Sequence, residues 1–323
     1  MKKLYSLLLA AACTCATTAP VAATPESQAA VLFLLIEPGA RGIAMGESYV
    51  AISDDATASY FNPAALAGQT KKSLNFTHSK WLPELADDMS YEFLAYAQPV
   101  EGWGNIGLNI ALLNCQDCYR DVAVSAAYGS EIADNMSAGI GLKFIRSSLS
   151  PDHGAGQERG IGIGNSFATD LGFLWKISPT MTFGTALRNL GPKIAYIDAS
   201  QADPLPQHIV AGLAYKALDT EFNDLLLSVD LYKPLIANGS FASNLVKGWA
   251  DESLGNEFKE MDLHVGGEYK YGLSSRQDES FFAMRGGYSL DTDGELKVWT
   301  VGVGLKYNMF QVDVAYIIGD ETP

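Results

Sequence analysis

From Leu74 onward, apolar side chains recur at every second position in one segment after another. The clearest run is 299–307, where large apolar residues take the odd positions and Thr, Gly or Lys the even ones. Residues 310–316 and 136–144 repeat the pattern. A period of two indicates β-strands whose two faces meet different surroundings. Roughly thirteen such segments follow one another, which predicts an all-β, antiparallel, up-and-down fold.

The composition favours a membrane location for this sheet. Apolar residues make up 48% of the chain and charged residues only 18%, yet no run after the first residues reaches the roughly 18 apolar positions of a membrane helix. A secreted β-sandwich is the alternative, and its polar face would carry Lys, Glu, Thr and Ser. Here the polar face is rich in Gly and Ala, which suits a lumen that holds an inserted segment. We therefore predict a transmembrane β-barrel.

The connections between the strands support this prediction. Short connections alternate with longer ones, at 148–165, 193–206 and 237–260, as periplasmic turns alternate with external loops in outer-membrane barrels. Strands that run toward the short connections finish in aromatic residues, as an interfacial girdle requires. These are Tyr128, Trp175, Tyr215, Tyr269, Tyr271 and Tyr307.

The first residues resemble a secretory signal peptide. Lys2 and Lys3 precede the apolar run 4–12, and 21–23 reads Val-Ala-Ala, an Ala-x-Ala-like processing site. We predict that residues 1–23 are removed. A membrane anchor is disfavoured because the run is too short, and a lipoprotein cysteine at Cys13 is disfavoured because Ala10 stands where Leu is usual.

The remaining chain divides into a non-alternating part, 24–70, and the strand region, 71–323. Single-chain bacterial barrels have even strand numbers, and the last readable strand ends near Ile318. The expectation is a barrel of about 14 strands whose final strand lies beyond Pro323, so that the chain is a fragment.

Charge and spacing argue against several other functions. The formal net charge is −15 and no basic run occurs, which excludes a nucleic-acid role. The four histidines are scattered, no spacing indicates a metal site or a cofactor, and no catalytic arrangement can be argued, so no enzyme is expected. Cys115 and Cys118 form a lone Cys-x-x-Cys pair, for which a local disulfide is favoured over zinc or redox chemistry.

The non-alternating part carries a long motif. Residues 33–46 read Phe-Leu-Leu-Ile-Glu-Pro-Gly-Ala-Arg-Gly-Ile-Ala-Met-Gly, followed by Asp54-Asp55-Ala56 and Asn62-Pro63-Ala64. This wording resembles the PorV/PorQ family, relatives of the FadL fatty-acid channels. The resemblance implies a 14-stranded outer-membrane barrel with an N-terminal hatch in its lumen, and 62–64 leading into the first strand. The motif positions are Pro38, Gly39, Arg41, Gly42, Met45, Gly46, Asp54, Asp55, Asn62 and Pro63.

The motif residues also have direct physical interpretations. The glycines permit tight turns or close backbone packing. Arg41, as a charge inside the barrel, needs a luminal carboxylate or water as a partner, and four carboxylates of the predicted inner face are candidates. Asp54 and Asp55 are predicted to cap a helical turn. Anchoring of the hatch explains all of them, and contact with a ligand or partner is the alternative. The candidate partners of Arg41 are Asp170, Asp230, Glu268 and Asp313.

Two functions remain open. The family resemblance implies a non-enzymatic type IX secretion component that binds secreted cargo proteins with its external loops and passes them to the surface attachment machinery. The alternative is a FadL-like passive channel for long-chain fatty acids or other hydrophobic molecules. The predicted luminal charges line such a path poorly, although the apolar run 31–36 offers part of one. These charges are Lys143, Asp170, Lys176, Arg188, Asp230, Glu268, Lys270, Arg285 and Asp313.

Overall fold

The computed structural model describes residues 29–52, 54–81, 88–115, 119–149, 162–235, 260–273, 280–291 and 296–319. The predicted signal peptide, 1–23, and Cys118 lie outside these ranges. Within them, no helix has the length and apolar character needed to cross a membrane.

Residues 29–72, which we call the N-terminal segment, contain only short helical elements. The helices are α1 (Ala40–Ala44) and α2 (Ala58–Phe61), and 3-10 turns span Leu32–Leu35 and Pro63–Gly68. Glycine and proline at the ends of these elements keep them short.

The rest of the described chain forms one antiparallel sheet of thirteen strands in sequence order, which confirms the predicted up-and-down fold and the strand count. Within the described residues, β1 pairs only with β2, and β13 only with β12. The strands are β1 (Ser73–Lys80), β2 (Met89–Val100), β3 (Gly104–Cys115), β4 (Tyr119–Ala133), β5 (Met136–Leu149), β6 (Ile163–Ser178), β7 (Met181–Leu190), β8 (His208–Asp219), β9 (Asn223–Pro234), β10 (Asp262–Gly272), β11 (Ser280–Asp291), β12 (Leu296–Tyr307) and β13 (Phe310–Gly319).

The two faces of the sheet differ as the alternation predicts. In β12, Val301, Val303 and Leu305 are exposed on the outer face, while Thr300 and Gly304 are buried on the inner face. Aromatic side chains at or near the ends of the even-numbered strands lie on the outer face as well, including Tyr307, which is 68% exposed. An outer face that is apolar and wide open to its surroundings is the surface that lipid covers.

The N-terminal segment packs against the inner face. Connections such as 134–135 and 308–309 mark a short-loop end of the sheet, and 150–162 and 191–207 mark a long-loop end. Ala30 N donates to Pro204 O at the long-loop end, and Asn105 Nδ2 donates to Leu66 O at the short-loop end. The segment therefore runs the height of the sheet. Because it contacts strands from β2 to β13, the sheet curves around it.

Candidate functional site: the contact between the N-terminal segment and the sheet

The end of α1 is built by the glycine motif. Gly46 N donates to Ile43 O (3.0 Å) and Glu47 N donates to Gly42 O (3.0 Å), which closes the helix in a Schellman-type turn. Gly46 has a φ of 61° and Glu47 a φ of 66°. A Cβ at Gly46 would lie 2.6 Å from Tyr288 N in the sheet. Glycine is therefore required twice at this position, for its conformation and for close approach to β11.

The other motif residues around α1 are packed inside the molecule. Pro38, Gly39 and Met45 are buried, and Gly39, with a φ of 91°, is the N-cap residue that precedes α1. A Cβ at Gly42 would lie 2.9 Å from the Phe61 ring. These positions hold α1 against α2, which supports the anchoring interpretation.

Glycines of the sheet receive the backbone of the segment. At each of them an added Cβ would lie 2.5 Å or less from an atom of the segment, for example 2.0 Å from Gly46 N at Gly287 and 2.3 Å from Pro63 C at Gly139. Real Cβ atoms do not approach so closely, so segment and sheet meet backbone against backbone. The residues of this glycine belt are Gly129, Gly139, Gly172, Gly184, Gly266, Gly287 and Gly302.

Arg41 lies at the centre of a buried ion network, which we call the Arg41 cluster. Its Nε and Nη2 donate to the two carboxylate oxygens of Glu268, at 2.8 and 2.7 Å. Its Nη1 donates to Asp54 (2.5 Å) and Asp55 (3.0 Å). Of the four carboxylates considered as its partner, the structure pairs Arg41 with Glu268 alone. This pair joins α1 to β10.

The cluster extends along the sheet through Glu268. Arg285 Nε donates to Glu268 (2.7 Å), Arg285 Nη1 donates to Asp313 (2.7 Å), and Lys270 Nζ lies 2.9 Å from Glu268. Each buried charge therefore faces an opposite charge, as a low-dielectric interior requires. The Arg41 cluster comprises Arg41, Asp54, Asp55, Glu268, Lys270, Arg285 and Asp313.

The two aspartates that were predicted to cap a helical turn have different partners. Asp55 Oδ1 accepts a hydrogen bond from Thr57 N (2.8 Å), which supports the turn before α2. Asp54 is drawn instead to Arg41, with which both its carboxylate oxygens bond. A nearby buried guanidinium offers Asp54 a stronger interaction than a helix end does.

Asn62 starts the 3-10 turn that leads to β1. Its Oδ1 accepts from Ala64 N (3.0 Å), and its Nδ2 donates to Val50 O (2.9 Å) and Phe173 O (3.2 Å). Pro63 follows at the first position of the turn, where a missing N–H costs nothing. Asn62 thus ties the segment both to itself and to β6.

A second set of buried polar residues, the Arg188 cluster, joins the N-terminal segment to strands β5 to β8. Arg188 Nη1 donates to Glu37 Oε1 (2.8 Å), and the guanidinium lies 4.3 Å from the centroid of the Tyr60 ring. Lys143 Nζ lies 3.1 Å from Asp170, and donates to Asn189 Oδ1 (2.6 Å). The cluster comprises Glu37, Tyr60, Lys143, Asp170, Arg188, Asn189 and His208.

A β-bulge positions Arg188. The β6–β7 register shifts between Thr169 and Leu171, and both Arg188 and Asn189 face the interior, the latter with a φ of 59°. Bulges break the alternation of faces and re-aim a side chain. This device brings two polar residues inward where strict alternation allows one.

Asp230 belongs to neither cluster. Its Oδ2 accepts from Tyr49 N (2.7 Å) and Val50 N (2.8 Å) of the segment. Eight of the nine predicted luminal charges therefore lie in the interior, divided among the two clusters and this backbone contact. The ninth, Lys176, lies near the end of β6 and is exposed, so the prediction is wrong there.

The buried position of the segment changes the acidity of its own groups. Burial raises the pKa of Glu37 to about 7 despite the nearby Arg188 guanidinium, and burial also raises the pKa of Glu47 to about 7. Burial alone would raise the pKa of Asp54, but Arg41 and Lys270 lower it below its ordinary value. The net pKa shifts are opposite because burial outweighs the attraction of the cation at Glu37, whereas the attraction of Arg41 and Lys270 outweighs burial at Asp54.

The part of the N-terminal segment toward the long-loop end is apolar. Phe33, Leu34 and Ile36 are buried in one cluster with inner side chains of β2 and neighbouring strands. Tyr91 OH donates to Ile36 O (3.3 Å), and the Phe93 ring packs edge-on against Tyr60, with centroids 5.6 Å apart. The apolar run 31–36, which was considered as part of a path for hydrophobic molecules, thus packs against the sheet.

Cys115 is disulfide-bonded at the end of β3. Its predicted partner, Cys118, lies outside the described residues, so the pairing of these two stays a prediction.

The sequence analysis missed several residues of this contact. Glu37 gave no signal because its neighbours in sequence are apolar, and Tyr60 gave none because it lies within the short helix α2. His208 was not identified because a lone histidine indicates little. The glycines of the inner face carried a usable signal, since Gly129, Gly139 and Gly172 are cross-strand neighbours.

Comparison with known proteins supports a family assignment. A sequence model of the family described as "Type IX secretion system protein PorV" matches residues 23–240. No curated protein sequence matches the chain.

Solved structures with a similar fold are outer-membrane barrels. A FadL homologue from Pseudomonas aeruginosa has a TM-score of 0.54 at 12% identity, covering 88% of this chain and 90% of that one. The CymD monoaromatic hydrocarbon channel has a TM-score of 0.55 at 11% identity, covering 89% and 94%. The toluene transporter TbuX from Ralstonia pickettii has a TM-score of 0.52 at 13% identity, covering 87% and 93%. At these identities the similarity concerns the fold.

Proposed function

Because the chain belongs to the family of the type IX secretion system protein PorV, we propose that it is a non-enzymatic component of that pathway which binds secreted cargo proteins. The protein is located in the bacterial outer membrane, as its family and its FadL-like fold indicate. The observation that carries the proposal is the family match, which spans the N-terminal segment and the strands up to β9.

The filled interior supports a binding role over a conducting one. The segment runs from the long-loop end to the short-loop end, and both charged clusters and the glycine belt hold it to the sheet. Movement of the segment would separate buried ion pairs such as Arg41–Glu268, which is costly in a low-dielectric interior.

We infer that cargo binds at the long-loop end. The β7–β8 connection there is ordered by its own contacts, since Ile194 and Leu205 are fully buried and Ile194 pairs with Asp203. Ile197, in the same connection, is 59% exposed. A fixed loop that presents an apolar side chain is a suitable element of a protein-binding surface.

Affinity purification of the tagged full chain from outer membranes tests the proposal. We expect secreted proteins that share a C-terminal domain to be recovered with it, and the I197D variant to recover several-fold less. Asp134→Ala, in a turn at the short-loop end, is the matched control and should leave recovery unchanged. Absence of such proteins from the wild-type sample would contradict the proposal.

A passive channel for hydrophobic molecules is the second candidate, favoured by the apolar cluster around Phe33 and by the fold shared with hydrocarbon channels. Its test is the uptake of long-chain fatty acids by cells that lack the protein. Loss of uptake on deletion, with normal secretion and restoration by the wild-type chain, would favour this candidate over the first.

A further inference from the structure

Arg188 differs from Arg41 in how its hydrogen-bond donors are used. In Arg41, Nε and Nη2 donate side by side to both oxygens of Glu268. This two-donor edge of a guanidinium matches the two oxygens of a carboxylate. Among the described residues, Nη1 of Arg188 donates to Glu37, whereas its Nε and Nη2 are buried and have no hydrogen-bond partner.

The surroundings hold this free edge in a fixed orientation. Arg188 is 1% exposed and packs over the Tyr60 ring. The Tyr60 hydroxyl in turn donates to Leu34 O (2.8 Å) in the segment. Because the β-bulge also fixes the backbone of Arg188, the two donors cannot turn toward solvent to find partners.

Acceptors without partners lie in the same cluster. His208 is the cross-strand neighbour of Arg188. Its Nδ1 lies 3.1 Å from Pro206 O, and its Nε2 has no hydrogen-bond partner among the described residues. Glu37 Oε2, beside the guanidinium, has none either. Leaving a buried polar atom unpaired is costly, so the two unpaired donors of Arg188 indicate a site that an acceptor group completes.

We propose that Nε and Nη2 of Arg188 bind the carboxylate group of a small ligand, in the geometry that Glu268 adopts on Arg41. The ligand approaches from the side of Glu37, whose side chain is 11% exposed against 1% for that of Arg188. The free C-terminus of a peptide has the same chemistry as a small carboxylic acid, and the two sources are separated by size.

Binding depends on pH through Glu37. The titratable and charged groups that face it are Arg188, Glu47, Tyr60, Tyr91 and His264. Because burial raises the pKa of Glu37 to about 7, this carboxyl is neutral at pH 6 and leaves the Arg188 charge to the ligand. At pH 8 the Glu37 carboxylate competes for the same guanidinium, so affinity falls.

Calorimetric titration of the purified full chain in detergent with acetate tests this site, with acetamide as the neutral control. We expect acetate to bind several-fold more tightly at pH 6 than at pH 8 and acetamide not to bind. Acetyl-glycyl-glycine, compared with its amide, reports whether the site also admits a peptide terminus. Binding of inorganic phosphate without acetate, or equal binding of acetate and acetamide, would overturn the proposal.

Two variants separate binding from folding. Glu37→Gln removes the competing charge, and we expect it to increase acetate affinity at pH 8 several-fold and to abolish the pH dependence. Arg188→Lys loses the two-donor edge and should reduce affinity at least about tenfold, while Arg146→Lys, on an exposed arginine, should not. A crystal structure in saturating acetate that places only water on Nε and Nη2 of Arg188 would contradict the inference even if a variant fails to fold.

Discussion

The Arg41 cluster and the Arg188 cluster attach the same segment to opposite parts of the sheet, but they use their charges differently. Arg41 bonds to three carboxylates through all its terminal nitrogens and its Nε. Arg188 bonds to one carboxylate, Glu37, and rests on an aromatic ring. The donors of Arg41 are thus used to attach the segment to the sheet, whereas Nε and Nη2 of Arg188 are left for the ligand proposed above.

Breaking the close backbone contact beside the Arg41 cluster should have the largest effect. Gly287→Val places a side chain 2.0 Å from Gly46 N, where neither backbone can move aside. We expect the free energy of unfolding to fall by about 5 kcal/mol or more, which exceeds the cost of ordinary overpacking. The measurement is proteolysis in detergent, where the N-terminal segment should be cleaved rapidly.

The neighbouring Gly286 supplies the control for this variant. A Cβ there meets only Thr300 O, at 3.9 Å. Gly286→Val should therefore leave the segment protected, and equal protease sensitivity of the two variants would contradict a specific role for Gly287.

Removing the shared carboxylate of the Arg41 cluster should have the next largest effect. Glu268→Gln leaves Arg41 and Arg285 without their common partner, and a broken buried ion pair costs about 3–5 kcal/mol. The measurement is the free energy of unfolding by urea in lipid vesicles. Glu92→Gln, which removes an exposed pair with His78, should cost at most about 1 kcal/mol. A similar cost for both variants would mean that the buried network is not an anchor.

The Arg188 cluster should make stability depend on pH. The pKa of Glu37 is raised from 4.5 to about 7 in the folded protein, so the folded state binds more protons than the unfolded state between these values. The free energy of unfolding should therefore fall by about 1–3 kcal/mol as pH rises from 4.5 to 7.

Urea unfolding at several pH values measures this slope. Glu37→Gln should reduce it, and the part that remains is expected from Glu47, whose pKa is raised to the same extent. Asp54 has the opposite shift and contributes stability that is lost as pH falls through its lowered pKa. A slope that is unchanged in Glu37→Gln would assign the pH dependence to other groups.

The smallest expected effect is that of the Tyr60 hydroxyl. Tyr60→Phe keeps the ring beneath Arg188 but removes the hydrogen bonds to Leu34 O and Ile36 O. We expect a loss of about 1 kcal/mol in unfolding free energy. Tyr96→Phe, which loses a hydrogen bond to Gln98 near the end of β2, is the comparison, and a larger cost there would argue against a special role for Tyr60.

The fold was readable from sequence because alternation is a local signal. Each strand carries its own pattern of exposed and buried positions, so thirteen strands can be counted without knowing how they meet. The direction of eight of the nine predicted luminal charges follows from the same alternation, as in Asp313 between exposed Val312 and Val314. Lys176 is the exception, and the β6–β7 register shifts beside it.

Partners could not be read because they depend on long-range geometry. Arg41 and Glu268 are 227 positions apart, and nothing local distinguishes Glu268 from Asp170 or Asp230 as a partner. The Arg188 cluster was harder still, since it depends on a β-bulge that alternation does not reveal. Glu37 was missed because its neighbours in sequence are apolar.

The glycine belt has a consequence for which substitutions the molecule can tolerate. Where Gly139 and Gly287 lie flat against the N-terminal segment, an added Cβ would meet the backbone of the segment at 2.3 and 2.0 Å. The segment and the inner face of the sheet are therefore fitted to each other without spare room, so a bulkier side chain on either surface must displace the other.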